Sequence, residues 1–406
     1  MGNSFYYIAD GKAYLHRDGK ELELRSMILE SYLDKVKESA KRNEWKYNGM
    51  GAAFTNTHQS GADAESRVSA VFSRITCIKP SNDELLYSLT IDRTNGIYRK
   101  TKENMTVDGI VISSADNAYY DFDVKNGRLA VASSFAGESH IGVMDASSSD
   151  LNIYTEGHSW DHSPAWSAVD PDKLYFCCAG LPIKSAKEPR PETPKGYSEI
   201  IEEMYEAARS VEKGASSICL LDIKEGSLDE ILSDSKYDYT HPQSVSDGSV
   251  YYIRKPHESS VKKPNPFGCL LDIVLFPIRL LGAIFGFLNV FSAKYSGKTL
   301  SKNRDIKNRD EKEIFIDGNL INAEQELKAN KRKGDKIPGI IPHSWELRRL
   351  DANGNDTLVR SGVAAFFVDE NEGNILVSNG SGVLCINSEG KEEKICSVGK
   401  ITYIYR

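Results

Sequence analysis

The sequence predicts an all-β fold, a six-bladed β-propeller closed by pairing of the C-terminal and N-terminal strands, with helical insertions on one face. Three observations carry this expectation. First, the two ends of the chain read as halves of one hairpin: residues 400–405 and residues 4–9 both alternate apolar with polar or aromatic positions, the period-two pattern of a strand. Second, joined pairs of the same kind recur inside the chain, as in residues 364–368 followed by 374–378. A ring of repeats is the architecture that needs its last strand beside its first. Third, the repeats can be counted and their spacing measured.

Inner hairpins are marked by turns rich in Asp, Asn and Gly ahead of short alternating apolar runs. They fall at Asn82-Asp83, Asn126-Gly127, Pro171-Asp172, Asp247-Gly248 and Glu372-Gly373, and the sixth is the pair split between the termini. Such residues supply the left-handed and tight-turn conformations that a hairpin requires. Outer hairpins follow at Asp18-Gly19, Asn353-Gly354, Glu389-Gly390 and Glu225-Gly226. Met144-Asp145 and Asn95-Gly96 are weaker members, with Lys102-Glu103-Asn104 as the alternative outer turn of the second repeat. Leu85, Leu129 and Leu174 lie about 45 residues apart, the length of a four-stranded blade. The longer intervals elsewhere mark insertions.

The chain has 406 residues, 27% of them charged, and a formal charge of -7. This balance gives no basic face for nucleic acid. Residues 1–12 lack the basic start and apolar run of a secretory signal, and Tyr6 stands where a myristoylation pattern wants Ser or Thr. Seven cysteines are scattered through strand-like runs, including adjacent Cys177 and Cys178. Neighbours in a strand point to opposite faces and do not readily pair, so the expected state is reduced thiols in a cytoplasmic protein, one that can sit peripherally at the inner side of a membrane.

One stretch carries a family resemblance. Trp160-Asp161-His162-Ser163-Pro164-Ala165-Trp166-Ser167, followed by Asp170-Pro171-Asp172-Lys173-Leu174-Tyr175-Phe176, resembles the repeat of TolB-like, WD40-like six-bladed propellers of the PD40 type, which runs D-x-S-P-x-W-S-P-D-G-x-x-L-x-F. Thr240-His241-Pro242-Gln243-Ser244-Val245-Ser246-Asp247-Gly248 is a degenerate copy. The other four repeats keep the hairpin without the signature. The resemblance implies the fold and no catalytic residues, because the repeat is structural and its members range from periplasmic scaffold proteins to peptidase accessory domains.

The whole chain is thus expected to be one propeller domain, 1–406, with insertions at 26–69 between blades 1 and 2, at 182–215 in blade 4 and at 257–344 in blade 5. If the strands of a blade are antiparallel neighbours, the connections between its second and third strands share one end of the ring with the connections between blades. All three insertions then project from the same face, and loops on a rigid scaffold are where binding usually resides. The first reads as a helix over residues 27–41, with Ile28, Tyr32, Leu33 and Val36 on one side and Ser26 as its cap. The second is Pro-rich over residues 189–194 and then carries an apolar stripe at helical spacing over 197–213.

The third insertion holds residues 266–291, an apolar stretch with Leu270, Leu271, Ile273, Val274, Phe276, Ile278, Leu281, Ile284, Phe285, Phe287, Leu288 and Phe291. A simple membrane crossing is excluded, because the flanking strands belong to one blade and a two-helix crossing needs about 20 residues per helix. Gly268, Asp272, Arg279, Gly282, Gly286 and Asn289 fall on a narrow stripe of the helix, Pro277 should kink it, and lysines flank both ends, as in interfacial segments at anionic membranes. Contact with a membrane surface, docking in a protein partner's groove and burial against its own propeller all remain open. Residues 301–336 read as a charged, solvated linker with a helix over 323–333.

Signatures of catalysis are missing: there is no G-x-S-x-G elbow, no phosphate-binding glycine loop, no H-E-x-x-H and no paired C-x-x-C. No cofactor and no metal is expected. The strongest polar constellation is His158, Asp161 and His162, with His241 in the equivalent connection of the next blade, a candidate site at the mouth of the channel. The expected function is therefore a non-catalytic scaffold or sensor binding an unidentified protein partner, and a membrane surface, through its decorated face. The alternative is a propeller hydrolase or metal-dependent enzyme acting near His162 and His241.

Overall fold

A computed structural model describes residues 4–43, 68–69, 71–81, 83–101, 107–181, 213–257, 313–316 and 319–406. Most of them form six antiparallel four-stranded units. Unit 1 takes its innermost strand from the end of the chain, Ile401–Tyr405, and continues with Phe5–Ala9, Lys12–Arg17 and Lys20–Glu23. Unit 2 comprises Ile78–Ser81, Glu84–Ile91, Thr94–Thr101 and Gly109–Ser114, and unit 3 Ala118–Lys125, Arg128–Phe135, Glu138–Asp145 and Asn152–Ile153. Unit 4 comprises Ser159–Trp166, Lys173–Gly180, Ser216–Asp222 and Ser227–Leu232. Units 5 and 6 are Tyr237–Ser244, Val250–Pro256, Glu346–Leu350 and Asp356–Ser361, then Ala365–Asp369, Asn374–Ser378, Val383–Ile386 and Glu392–Cys396. Among the described residues no sheet closes on itself, although a single parallel bridge, Ser139 to Trp160, joins units 3 and 4.

The termini pair as their patterns predict. Tyr6 stands opposite Tyr405, Tyr7 opposite Ile404 and Ile8 opposite Tyr403. Turn chemistry follows the sequence as well: Asp18-Gly19 and Asn126-Gly127 place both residues at positive φ (51° and 72°, 53° and 75°), the conformation whose twist matches the flanking strands. The second unit corrects one assignment. Asp92 and Arg93 form the turn between its second and third strands, so Asn95-Gly96 is not an outer turn. The third and fourth strands of this unit are Thr94–Thr101 and Gly109–Ser114, and the alternative turn at Lys102-Glu103-Asn104 lies outside the described residues.

Both faces of a unit are buried, each against a different neighbour. In Glu84–Ile91, Leu85, Tyr87 and Leu89 pack with Ile8 and Ala13 of unit 1, while Leu86 packs with Phe122, Leu129 and Val131 of unit 3. Ala130 and Ala132 then meet Trp166, Leu174 and Phe176 of unit 4. Cys177 and Ile218 meet Tyr239 and Tyr252 of unit 5, and Ile253 and Leu347 meet Val377 and Leu384 of unit 6. Leu376 and Val383 finally meet Phe5, Tyr7, Ile401 and Ile404 of unit 1. Successive side chains of a strand alternate between two cores, which is why the inner hairpins read as near-continuous apolar runs. Full burial of each such side chain contributes about 1.5–3 kcal/mol.

The first insertion opens with helix α1, Met27–Asn43. Its start is held by a buried polar knot. Ser26 Oγ accepts from Leu29 N (3.3 Å), Asp108 accepts from Ile28 N (3.1 Å) and Ser26 Oγ (3.1 Å), and the Tyr87 hydroxyl donates to Ser26 Oγ (3.0 Å). Lys100 neutralises Asp108 at 2.5 Å with both side chains 0% exposed, and the carboxylate lies where a helix N-terminus favours negative charge. The inward face carries Leu29, Leu33, Val36 and Ala40, whereas Tyr32, expected on that face, is exposed and donates its hydroxyl to Asp92 (2.7 Å).

The third insertion differs from expectation at its end. Glu313–Ile316 and Asn319–Asn322 form a hairpin ahead of helix α2, Ala323–Arg332, and Ile314, Ile316 and Ile321 share a small core with Ile341 and Trp345. The supposed linker thus contains a packed element, signalled by apolar alternation on either side of Asp317-Gly318. The Pro-rich stretch, most of the stripe over 197–213 and the apolar stretch 266–291 with all its named residues lie outside the described residues. Among the described residues no helix is long and apolar enough to cross a membrane.

Because Ile404 fills the core between units 6 and 1, Ile404→Ala should lower the unfolding free energy by about 2–5 kcal/mol in denaturant titrations. Deletion of residues 401–406 should abolish the cooperative transition altogether, since it strips the inner edge of unit 1. A truncated chain that unfolds as wild type would refute the importance of this pairing.

Candidate functional site

The innermost strands of all six units line one cavity of about 550 Å³. Four of these strands carry an irregularity in pairing with their neighbours: near Tyr120 in unit 3, at Ser163-Pro164 in unit 4, at His241-Pro242 in unit 5 and at Thr402 in unit 1. Such bulges re-aim side chains. Ser163 and His241 occupy corresponding positions, each at positive φ (51° and 55°) directly before a proline.

Polar groups around the cavity connect neighbouring units. Lys79 of unit 2 bonds Asp123 of unit 3 at 3.0 Å, and its ammonium also lies 4.5 Å from the centre of the Tyr405 ring of unit 1. Asp123 accepts in turn from Trp166 N of unit 4 (2.7 Å), and Lys125 donates to Ser167 O (2.5 Å) and Ala168 O (3.2 Å). Ala168 N donates to Ser244 Oγ of unit 5 (3.0 Å). The Gln243 amide makes a two-way pair with Val368 of unit 6, donating to its carbonyl (2.9 Å) and accepting from its N–H (3.0 Å). Arg406 closes the series by binding Asp369 (3.0 Å) and Glu372 (2.6 Å), returning from unit 1 to unit 6.

The electrostatics follow from this pairing. Burial opposes the charge of Lys79, but Asp123 and the neighbouring Tyr405 outweigh it, so its pKa is raised. Burial pushes the Tyr403 and Tyr405 phenols up, leaving them neutral hydrogen-bonding groups. Arg406 holds the Glu372 carboxyl below its ordinary value of 4.5. The two lysines and the arginine that line the cavity therefore already have partners within the chain. His241 Nδ1 and Trp166 Nε1 are buried with no hydrogen-bond partner among the described residues.

The four residues expected at the channel mouth go to different places. Asp161 and His162 are adjacent in one strand and so take opposite faces. Asp161 is buried between units 3 and 4, accepting from Thr155 Oγ1 (2.5 Å) with His140 Nδ1 at 3.8 Å. His158 is 65% exposed and paired with Glu138 (2.6 Å). His162 Nδ1 lies 3.0 Å from Ser163 Oγ, and its Nε2 lies 3.4 Å from Ser216 Oγ. Only His241 of the four lines the cavity. Lys79, Asp123, Gln243, Tyr405 and Arg406 were not anticipated. A trace of them was present in the sequence, in the lone lysine of Ile78-Lys79-Pro80 and in the alternate acids of Asp121-Phe122-Asp123.

One polar chain has the makings of chemistry. Ser163 Oγ donates to Asp121 Oδ2 (3.1 Å), which leaves His162 Nδ1–H to donate to Ser163 and Nε2 to accept from Ser216. A carboxylate, a hydroxyl, an imidazole and a second hydroxyl are thus in line. Ser216, however, is only 5% exposed, and its N–H is tied to Asp238 Oδ1 (2.9 Å).

No protein-family model and no curated protein sequence matches this chain. Among solved structures it is similar to TolB-like propellers. A protein described as TolB from Agrobacterium tumefaciens shares 10% identity over 80% of this chain and 82% of that one, with a TM-score of 0.42. TolB from Acinetobacter baumannii shares 9% identity over 99% of this chain and 66% of that one, at 0.45. An oligogalacturonate lyase from Vibrio parahaemolyticus shares 13% identity over 80% and 79%, at 0.37. At these identities and scores the likeness transfers no residue role to this chain.

Two predictions concern the cavity. Asp123→Ala strands the Lys79 ammonium in a buried site and should cost about 3–5 kcal/mol, whereas Lys79→Met with Asp123→Leu should cost much less; equal losses would remove the pair from this role. Because the folded pKa of Glu372 is depressed, its contribution is fully present above about 4.5, its ordinary value, and is lost as pH falls through the folded value. Melts of Glu372→Gln between pH 3 and pH 6 (roughly the window around that value) should therefore show a shallower acid loss than wild type.

Proposed function

We propose that the six units close into a six-bladed propeller, and that this propeller is a non-catalytic scaffold whose insertions bind a protein partner and an anionic membrane surface. The observation that carries this reading is the meeting of two insertion roots on one carboxylate. Asp238 Oδ1 accepts from Ser216 N (2.9 Å), just after the second insertion, and bonds His257 Nδ1 (2.9 Å), at the start of the third. Rigid strands thus hold the roots of both insertions together, and α1 reaches the corresponding turn of unit 2 through Tyr32 and Asp92. A cavity whose lysines and arginine already have partners supports the same reading, because those cations are engaged in holding neighbouring units together.

The broad apolar face of residues 266–291 and its flanking lysines suit a helix lying in the headgroup region of a membrane. Replacing residues 258–312 with a short Gly/Ser linker should leave the melting temperature within a few degrees of wild type, since all six units are retained. Flotation with phosphatidylserine vesicles at low salt should then be lost. Equal flotation of both proteins would refute membrane binding by this segment.

The second reading, a hydrolase, rests on the alignment of Asp121, Ser163, His162 and Ser216. It requires Ser216 to become reachable. Labelling by a fluorophosphonate, abolished in Ser216→Ala and slowed in His162→Gln, would establish it; no labelling of wild type would dismiss it.

A further inference from the structure

We propose that His16, Glu21 and Cys396 form a divalent-metal site, with zinc favoured by its donor chemistry, that ties the last four-stranded unit to the first. The ligand atoms of these three side chains all lie within 4.8 Å of one another, the one such group among the described residues. His16 and Glu21 are direct cross-strand partners in unit 1, and Cys396 ends the outermost strand of unit 6. The donors therefore come from two sheets that have no strand pairing with each other.

The set combines an imidazole nitrogen, a carboxylate oxygen and a sulfur, the ligands that zinc accepts in one shell. Zinc bonds of about 2.0–2.3 Å set tetrahedral ligands roughly 3.3–3.8 Å apart, so donors that already lie within 4.8 Å of one another need side-chain adjustments on the order of an ångström to accommodate the ion. His16 Nδ1 and Glu21 Oε1 are 2.8 Å apart and would open slightly to admit it.

Surrounding contacts orient the donors. The His16 ring is stacked on Phe5, with centroids 4.8 Å apart, and the Tyr7 hydroxyl donates to the other Glu21 oxygen at 2.6 Å. That second bond is the outer contact that metal-bound carboxylates commonly have. Burial raises the pKa of the Cys396 thiol against the lowering effect of the backbone N–H groups of Val398 and Val383, so the metal itself must displace the thiol proton. His16 is 5% exposed and Glu21 33% exposed, so the site is buried on one side and reachable from the other. Three protein ligands leave the fourth position to water, and binding releases the thiol proton to solvent.

The test uses the full chain, stripped with a chelator under reducing conditions and titrated with zinc against a chromophoric competitor, then with cobalt as a spectroscopic probe. One equivalent of zinc should bind, the melting temperature should rise with zinc concentration, and cobalt should give a thiolate charge-transfer band. Cys396→Ser should abolish that band, Glu21→Gln and His16→Gln should weaken zinc binding more than tenfold, and Tyr7→Phe should weaken it roughly 10- to 100-fold. Cys385→Ser, a thiol in the same unit, should leave both readouts unchanged. Lack of stoichiometric zinc binding by wild type, or a band that survives in Cys396→Ser, would overturn the site. Should Cys396→Ser fail to fold, unaltered zinc affinity in Glu21→Gln would do so.

Discussion

The pairing of Ile401–Tyr405 with Phe5–Ala9 is the constraint on which the rest of the structure depends. This last strand is also the innermost strand of the first unit, so the chain must complete five units before the first can be finished. Once in place it acts in three directions. Ile401 and Ile404 enter the core between units 6 and 1, Tyr405 faces the Lys79 ammonium of unit 2, and Arg406 binds two carboxylates of unit 6. Few of these contacts are local. Folding must therefore meet the loop-closure entropy of nearly the whole chain before the last strand is rewarded.

Around the cavity, charge serves cohesion. A lysine in a buried strand is unfavourable in isolation, yet Lys79 has a carboxylate and an aromatic face beside it, each from a different unit. The same logic applies to Gln243, whose amide imitates a strand by exchanging two hydrogen bonds with Val368. Buried polar groups of this kind are poor sources of net stability but demand one alignment. They hold neighbouring units in register where apolar packing alone would tolerate a slip. Away from the cavity, Lys100 and Asp108 do a comparable job for α1, fixing where the first insertion leaves the scaffold.

Much of the strand framework was legible in the sequence because alternation and turn chemistry are local. Asn126-Gly127 adopts the two positive φ values that its residue types favour, and residues 400–405 and 4–9 match as strands before any pairing is known. Turn signals set among charges or inside strands were harder to read. The hairpin before α2 hid inside a charged stretch, and Asn95-Gly96 imitated an outer turn while lying just inside a strand. Of the four candidate residues, only His241 lines the cavity. Asp161 and His162 could not share a site with each other, for the plain reason that adjacent residues of a strand face opposite ways.

By itself, the sequence determined most of the strands and turns, the repeat length and the meeting of the two ends, which follow from the period of apolar residues and the φ preferences of Gly, Asn and Asp. Only the tertiary structure decided which polar groups meet. Lys79 and Asp123, Gln243 and Val368, and His16, Glu21 and Cys396 are brought together from different units. Their proximity depends on the register and packing of whole sheets, which no local pattern encodes.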